Sequence, residues 1–400
     1  MKKYKKLVAA LLAVCSVSTV ANAASYQLND YSVTGLGRSY AGVGVVGDDY
    51  SAIAYNPAGM TLKKRSGVQQ VFNLIGVRSD VEELNTGKKG TMKFWQPVPA
   101  GFAQYNVNDR FMIGAGIYAP FGLKTKYKAD WFGSSSAILS KLDIVDFNVS
   151  AAYKLTDKLS LGASAILRYI YGRMTQNVPT SNAEMSFNVH GWSQTGTLGL
   201  MYEFTDDTRV GVSYRLRSAQ RANGLLKLKS PLNRSADVHA NPDLPETVTF
   251  SAYHRIQKVG LSGTARWTHW TSSFPDFSVR SPLIGEKKSY YDYQNTWTLS
   301  AGADYYYDEN WTFRGGVGYD ESPTHKPDRR TYRIPDSDRY WVSAGASYMW
   351  ENWQVDAGYA HLFAKTSLST PDATVPGAAP TAKFKNTQSH IFGLQVQYMF

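Results

Sequence analysis

The sequence contains one cysteine, Cys15, and it lies in an N-terminal stretch that reads as a secretory signal. Lys2, Lys3, Lys5 and Lys6, the apolar run Leu7 to Val14 and the small-residue site Ala21-Asn22-Ala23 mark residues 1–23 as the cleaved signal, with Ala24 as the mature start. Val14 stands where a lipoprotein signal places a small residue, so lipidation at Cys15 is not expected. An exported chain without thiols uses neither disulfides nor thiolate chemistry, and its stability must come from hydrogen bonding and burial. Long apolar runs are also missing after the signal, so if the chain crosses a membrane it does so as strands. The seven histidines, His190, His239, His254, His269, His325, His361 and His390, are scattered. No serine elbow or HExxH pair accompanies them, so no enzyme activity, metal site or cofactor is expected. A large charge excess is missing too: 43 Lys and Arg less the four signal lysines leaves 39 against 32 acids. With no compact Lys/Arg cluster interleaved with aromatics, nucleic acid is not an expected partner; a mildly basic exterior suits the phosphates of lipopolysaccharide.

Aromatic residues, by contrast, make up 14% of the chain, with 27 tyrosines, as interfacial girdles on a membrane barrel require. The dominant pattern is alternation. Tyr340, Val342, Ala344, Ala346, Tyr348 and Trp350 are apolar between polar or small neighbours, and Trp297 to Tyr305 and Val210 to Leu216 repeat the period. About fourteen such runs occur, near residues 68–79, 97–107, 110–120, 143–155, 158–172, 192–204, 207–219, 246–256, 258–270, 296–307, 310–320, 338–350, 352–364 and 388–400. Tight turns such as Asn108-Asp109, Thr156-Asp157 and Asp308-Glu309 alternate with long polar loops. That rhythm predicts an all-β, transmembrane antiparallel barrel of about fourteen strands in residues 65–400, placed in a Gram-negative outer membrane. The last strand ends on Phe400 with Phe392, Leu394, Val396 and Tyr398 on the same face, as expected of a strand recognised by the barrel assembly machinery. Residues 24–64 break the pattern: they are rich in small residues and carry apolar Leu28, Val45, Val46 and Ile53, which suits an internal plug, or hatch, better than a periplasmic tail.

Several short motifs resemble the FadL family of outer-membrane transporters of long-chain fatty acids and other hydrophobic compounds. They include Tyr26-Gln27-Leu28, Gly35-Leu36-Gly37-Arg38, Asp48-Asp49 and Asn56-Pro57-Ala58 in the expected hatch. Collinear with these are Pro120-Phe121-Gly122-Leu123, Leu244-Pro245-Glu246, Tyr306 to Arg314 and Ile334 to Trp341. The resemblance implies a monomeric, hatched, fourteen-stranded barrel. Substrate is captured on an outer groove, passes to a buried pocket touching the hatch, and leaves sideways through a gap made by a kink in the third strand. Here Ala119-Pro120-Phe121-Gly122 ends the third strand, with Gly114 and Gly116 inside it; these residues either bend the strand or, for the glycines, make room for the plug.

A fatty acid needs an apolar path. Leu225, Leu226, Lys227, Leu228, Lys229 and Leu232, in the expected loop after the seventh strand, alternate apolar and cationic side chains suited to an anionic amphiphile. Met185, Phe187 and Val189, expected in the loop before the sixth strand, join them as a capture groove. Tyr26, Leu28, Tyr118, Phe121, Ile166 and Ile170 are the candidate pocket lining. Arg168 is an inward cation that pairs either with a substrate carboxylate or with plug acids such as Asp48 or Asp49. One departure stands out: Gln176 and Gln294 occupy positions where the family's basic residues would align, which leaves neutral hydrocarbons open as substrates. The competing readings are a channel for aromatic or hydrocarbon compounds and a porin-like surface adhesin or receptor.

Overall fold

Fourteen antiparallel strands close into a barrel in this computed structural model, which describes residues 27–400 apart from 180, 182, 273–276 and 376. The expected signal peptide and Tyr26 lie outside the described residues. The strands are, in order, Gly67–Glu83, Lys89–Asn106, Phe111–Lys126, Leu139–Lys154, Leu159–Asn177, Glu184–Thr205, Thr208–Arg215, Thr247–Ile256, Val259–Thr268, Thr296–Tyr306, Trp311–Asp320, Arg339–Trp350, Trp353–Ala364 and Ala382–Met399. Each pairs with the next, and the first pairs with the fourteenth, so the sheet has no free lateral edge at its closure. Closure is what lipid demands, because an unpaired backbone group there costs several kcal/mol.

Alternation produces two faces. Leu299, Val317, Val342, Phe392 and Leu394 point outward and are about half exposed, while Arg339, Ser347, Asp356 and Gln395 on intervening positions are buried in the lumen. Rings such as Trp311, Tyr348, Trp353 and Tyr398 pair near the short-turn end, the periplasmic end in bacterial barrels. The tight turns are set by side-chain acceptors: Asn108 Oδ1 takes the N–H groups of Arg110 and Phe111, and Asp308 Oδ1 takes that of Asn310, each at 2.9 Å.

Several strands run past their expected ends. The first extends to Glu83, the second starts at Lys89, the fifth continues to Asn177, the sixth starts at Glu184 and the fourteenth starts at Ala382. The seventh, expected to reach 219, stops at Arg215. Alternation records only the part of a strand with lipid on one side; above the membrane both faces meet protein or water, and the ladder continues without that signature. Among the described residues five short strands lie outside the barrel wall, including the hairpins Ala222–Leu228 with Arg234–Ala240 and Phe277–Ser281 with Gly285–Ser289. Among the described residues no helix is long and apolar enough to cross a membrane.

The N-terminal segment fills the lumen. Between residues 28 and 61 almost every side chain is buried. It is built from a short helix Val33–Gly37 capped by Ser32, whose Oγ accepts from Gly35 N at 2.8 Å, a one-turn helix Ala52–Tyr55 and a 3₁₀ turn Pro57–Leu62 capped by Asn56. The wall makes room for it with glycines: a Cβ at Gly162 would lie 2.3 Å from the backbone of Ala58, and one at Gly316 the same distance from that of Arg38.

Candidate functional site

The third strand is where the wall departs from a regular ladder. Its pairing to the fourth strand shifts register between Tyr118 and Phe121, so that Ala119 and Pro120 bulge. Its pairing to the second strand stops at Gly101↔Ile117, although the second strand begins at Lys89 and the third ends at Lys126. The upper parts of these two strands therefore face each other without a ladder, leaving a gap in the backbone pairing that side chains cross, Lys124 Nζ donating to Gln96 Oε1 at 3.0 Å. Pro97 and Pro99 lie on the second strand's side of it. The second strand pairs with the first without a break from Gly67↔Gln104 to Glu82↔Lys89. The N–H donors that these prolines lack are thus missing from the edge facing the gap, where unsatisfied donors in an apolar setting would be costly. Gly114 and Gly116 are not part of the bend; a Cβ at Gly114 would meet Ile53 and Met60 at 2.8 Å, and one at Gly116 would meet Phe102 at 2.6 Å.

The described part of the N-terminal segment starts against the bulge. Leu28 N donates to Pro120 O at 2.8 Å and Gln27 forms a bridge with Phe121. Tyr118 is buried against Tyr31, 4.9 Å between ring centres, and Phe102, 5.9 Å. Its hydroxyl accepts from Arg215 Nη2 at 2.8 Å and Asn148 Nδ2 at 3.2 Å.

Arg168 lies beside this group, but its guanidinium is bidentate to Asp146 at 2.6 and 2.9 Å, directly across from it on the fourth strand. Arg215 shares the same carboxylate at 3.0 Å. The plug acids expected as partners of Arg168 are engaged elsewhere. Asp48 holds Arg38 at 2.7 Å and Arg314 at 3.1 Å, with Asp304 closing the box to the same two arginines, while Asp49 accepts from Ser32, Thr34 and Ser51. Asp146 lies in the inward phase of the fourth strand beside Ile144 and Asn148, visible in the sequence as an inward acid, and the register to the fifth strand makes it the partner.

Above the bulge an apolar cluster joins Phe121, Ile144 and Ile170 to Phe187, Val189 and Leu226, with Leu228 and Met185 packed against it. The two expected capture loops are strands: Met185, Phe187 and Val189 belong to the sixth strand and pair in register with Leu228, Leu226 and Gly224 of the hairpin. Leu226 is fully buried, whereas Leu225 is exposed. The alternation of Leu and Lys there is the two-faced pattern of a strand, not of a loop. Leu28 belongs to the adjoining cluster formed by the N-terminal segment and the first strands, and Ile166 is buried without joining either cluster. The hatch motif residues Gly35, Gly37, Arg38, Asn56, Pro57 and Ala58 are all buried at the interface of that segment with the wall; Gly37 approaches Gly345 so closely that a Cβ would sit 3.0 Å from its Cα.

On the side opposite the short turns, a groove of about 700 Å³ is lined by Met174, Met185, Phe187, Ile284, Tyr291 and Arg333 among others. It opens onto the apolar cluster through Phe187 and Tyr291. Volume and lining are in the range of sites for small apolar ligands. Among the described residues no group of acids, histidines or cysteines could hold a metal ion.

Residues 14–400 match the family described as outer membrane protein transport protein (OMPP1/FadL/TodX). The chain is 28% identical to the long-chain fatty acid transport protein of Escherichia coli O6:H1, over 97% of both chains. It is 27% identical to outer membrane protein P1 of Haemophilus influenzae, over the full length of both. Among solved structures it resembles a Pseudomonas aeruginosa FadL homologue, with a TM-score of 0.83 at 24% identity, covering 93% of this chain and 99% of that one. It also resembles the Ralstonia pickettii toluene transporter TbuX, with a TM-score of 0.68 at 22% identity, covering 92% of this chain and 100% of that one. These two likenesses speak to the fold.

Proposed function

The chain belongs to the OMPP1/FadL/TodX family of non-enzymatic transporters of hydrophobic compounds in the Gram-negative outer membrane, and from that premise we propose that it carries long-chain fatty acids. Residues 24–64 act as a hatch in a barrel formed by residues 65–400, after loss of a signal at 1–23. Substrate enters the groove at the loop end, moves into the apolar cluster at Phe121, Ile170 and Leu226, and leaves through the gap between the second and third strands into the membrane. No energy source is needed, because each methylene taken out of water contributes about 0.8 kcal/mol and the membrane is the larger apolar sink.

The observation that carries this reading is that the ladder ends at Gly101↔Ile117 where the apolar cluster reaches the wall, with Leu28 hydrogen-bonded to the bulge that ends it. A hatch starting at the exit couples entry of a ligand to the shape of that exit. The polar box of Arg38, Asp48, Asp304 and Arg314 holds the middle of the segment to the wall, so solutes such as ions and sugars have no straight path. The test is uptake of labelled oleate by a Gram-negative strain lacking its own fatty-acid carrier, with toluene as competitor. Expression of this protein should restore uptake, and a modest excess of toluene should leave most of it intact. Uptake indifferent to the protein removes the assignment. Toluene uptake without oleate uptake would instead select the second reading, a channel for aromatic hydrocarbons, which the neutral Gln176 and Gln294 favour.

A further inference from the structure

Arg333 lies in the loop between the eleventh and twelfth strands and lines the groove beside Met174, Met185, Phe187 and Ile284. It is half-buried, and its guanidinium bonds to neutral oxygens: Nη1 donates to Ser140 Oγ at 3.0 Å and Nη2 to Gln176 Oε1. No carboxylate of the described residues lies within ion-pair distance of it. Arg38, Arg168, Arg215, Arg314 and Arg339, by contrast, each hold an aspartate. Of the acids on the same groove, Glu286 pairs with Arg280 at 3.1 Å, while Asp372 accepts from the hydroxyl of Thr374 at 2.6 Å and acts on Arg333 only from beyond ion-pair distance. Lys287 and Lys288 add positive charge at the rim.

We propose that Arg333 receives the carboxylate of an anionic amphiphile while its tail lies along the methionine and phenylalanine side chains of the groove floor. This inference rests on the transport reading above and narrows its substrate class to ionised acids. A guanidinium presents five N–H donors in a planar fork that matches a carboxylate, and Ser140 and Gln176 account for only two of them. Burial pulls this group down to about 10, so it stays charged at neutral pH. The available space decides between this arginine and Arg266, which also lacks an aspartate but borders a cavity of only about 20 Å³. Flexible thioethers at Met174 and Met185 suit a tail whose length and kinks vary. Because Phe187 belongs both to the groove and to the cluster containing Phe121, a tail anchored at Arg333 already touches the route toward the wall gap.

The test is calorimetric titration of the full-length mature protein in a non-ionic detergent at neutral pH, with oleate and oleyl alcohol as separate probes. Arg333→Gln should weaken oleate binding about tenfold or more, about 1.4 kcal/mol, and leave oleyl alcohol within twofold; Arg333→Lys should recover part of the loss. Heat-dependent migration on a gel checks that each variant forms the barrel. Unchanged oleate affinity in Arg333→Gln, or an equal loss of both probes, overturns the inference and leaves the transport reading standing. Wild-type protein that binds neither probe overturns both.

Discussion

Where the first strand meets the fourteenth, pairs run from Gly67↔Met399 to Glu83↔Ala382 with one irregularity; where the second meets the third, they stop at Gly101↔Ile117. The inner faces differ in what they hold. Behind the closing seam polar side chains stand among the buried Val71, Ile75 and Ile391 and hold the N-terminal segment: Gln395 accepts from Val33 N at 2.9 Å and from Gln69 at 3.0 Å, and Asn73 donates to Asp30 O at 2.7 Å. Behind the interrupted seam lie Val98, Ala100, Phe102 and Tyr118, apolar or aromatic and fully buried. On the reading proposed above, one junction fastens the wall to its N-terminal segment. The other is the exit, its edge lacking backbone donors at Pro97 and Pro99.

If the two seams divide the work in this way, exchanging their features should exchange their behaviour. The largest effect is expected from Val71→Pro, which puts a proline into a strand paired on both sides, opposite Gln395 and Ala100. The lost ladder bond and clash cost about 3 kcal/mol or more, and the heat-modifiable barrel band should largely disappear. A variant that assembles like the wild type would show that the closing seam tolerates what the other seam contains. The converse change is Pro97→Thr with Pro99→Thr and removal of the Ala119-Pro120 bulge. It should extend the second–third ladder, leave the barrel folded and cut oleate uptake by about tenfold; full uptake through a regular wall would refute the side exit. The smallest effect is expected from Gln395→Leu, which strands the Val33 N–H and removes a partner of Asp356 for about 1–3 kcal/mol. The plug should then loosen without loss of the wall, seen as intermittent ion conductance in a planar bilayer where the wild type is silent. Continued silence would mean that the Arg38–Asp48 box alone holds the segment.

The fold was largely legible because a membrane barrel writes its two environments into alternate residues: Tyr340, Val342 and Tyr348 meet lipid, while Arg339 and Ser347 meet the lumen. The candidate site was less legible. Arg168 was visible as an inward cation, yet its partner Asp146 is 22 residues away and becomes adjacent only through the register of the fourth and fifth strands. Arg333 escaped notice because it belongs to a loop with no periodicity. The alternate prolines at 97 and 99 were a readable sign of an interrupted strand edge, overlooked because the run around them otherwise alternates. The Leu225 to Leu228 stretch was misplaced as a loop because it lies above the membrane, where a strand's outward face is wet and lysine is as acceptable there as leucine.

By itself the sequence determined the period of two and the number of wall strands, since these depend on local composition and on which neighbour of each residue is apolar. Only the tertiary structure decided which acid neutralises which arginine, where the wall fails to zip, and that one guanidinium on the outer groove meets no carboxylate of the described residues within ion-pair distance. Those facts depend on strand register and on loops folding over the barrel mouth, which bring together residues that no spacing along the chain relates.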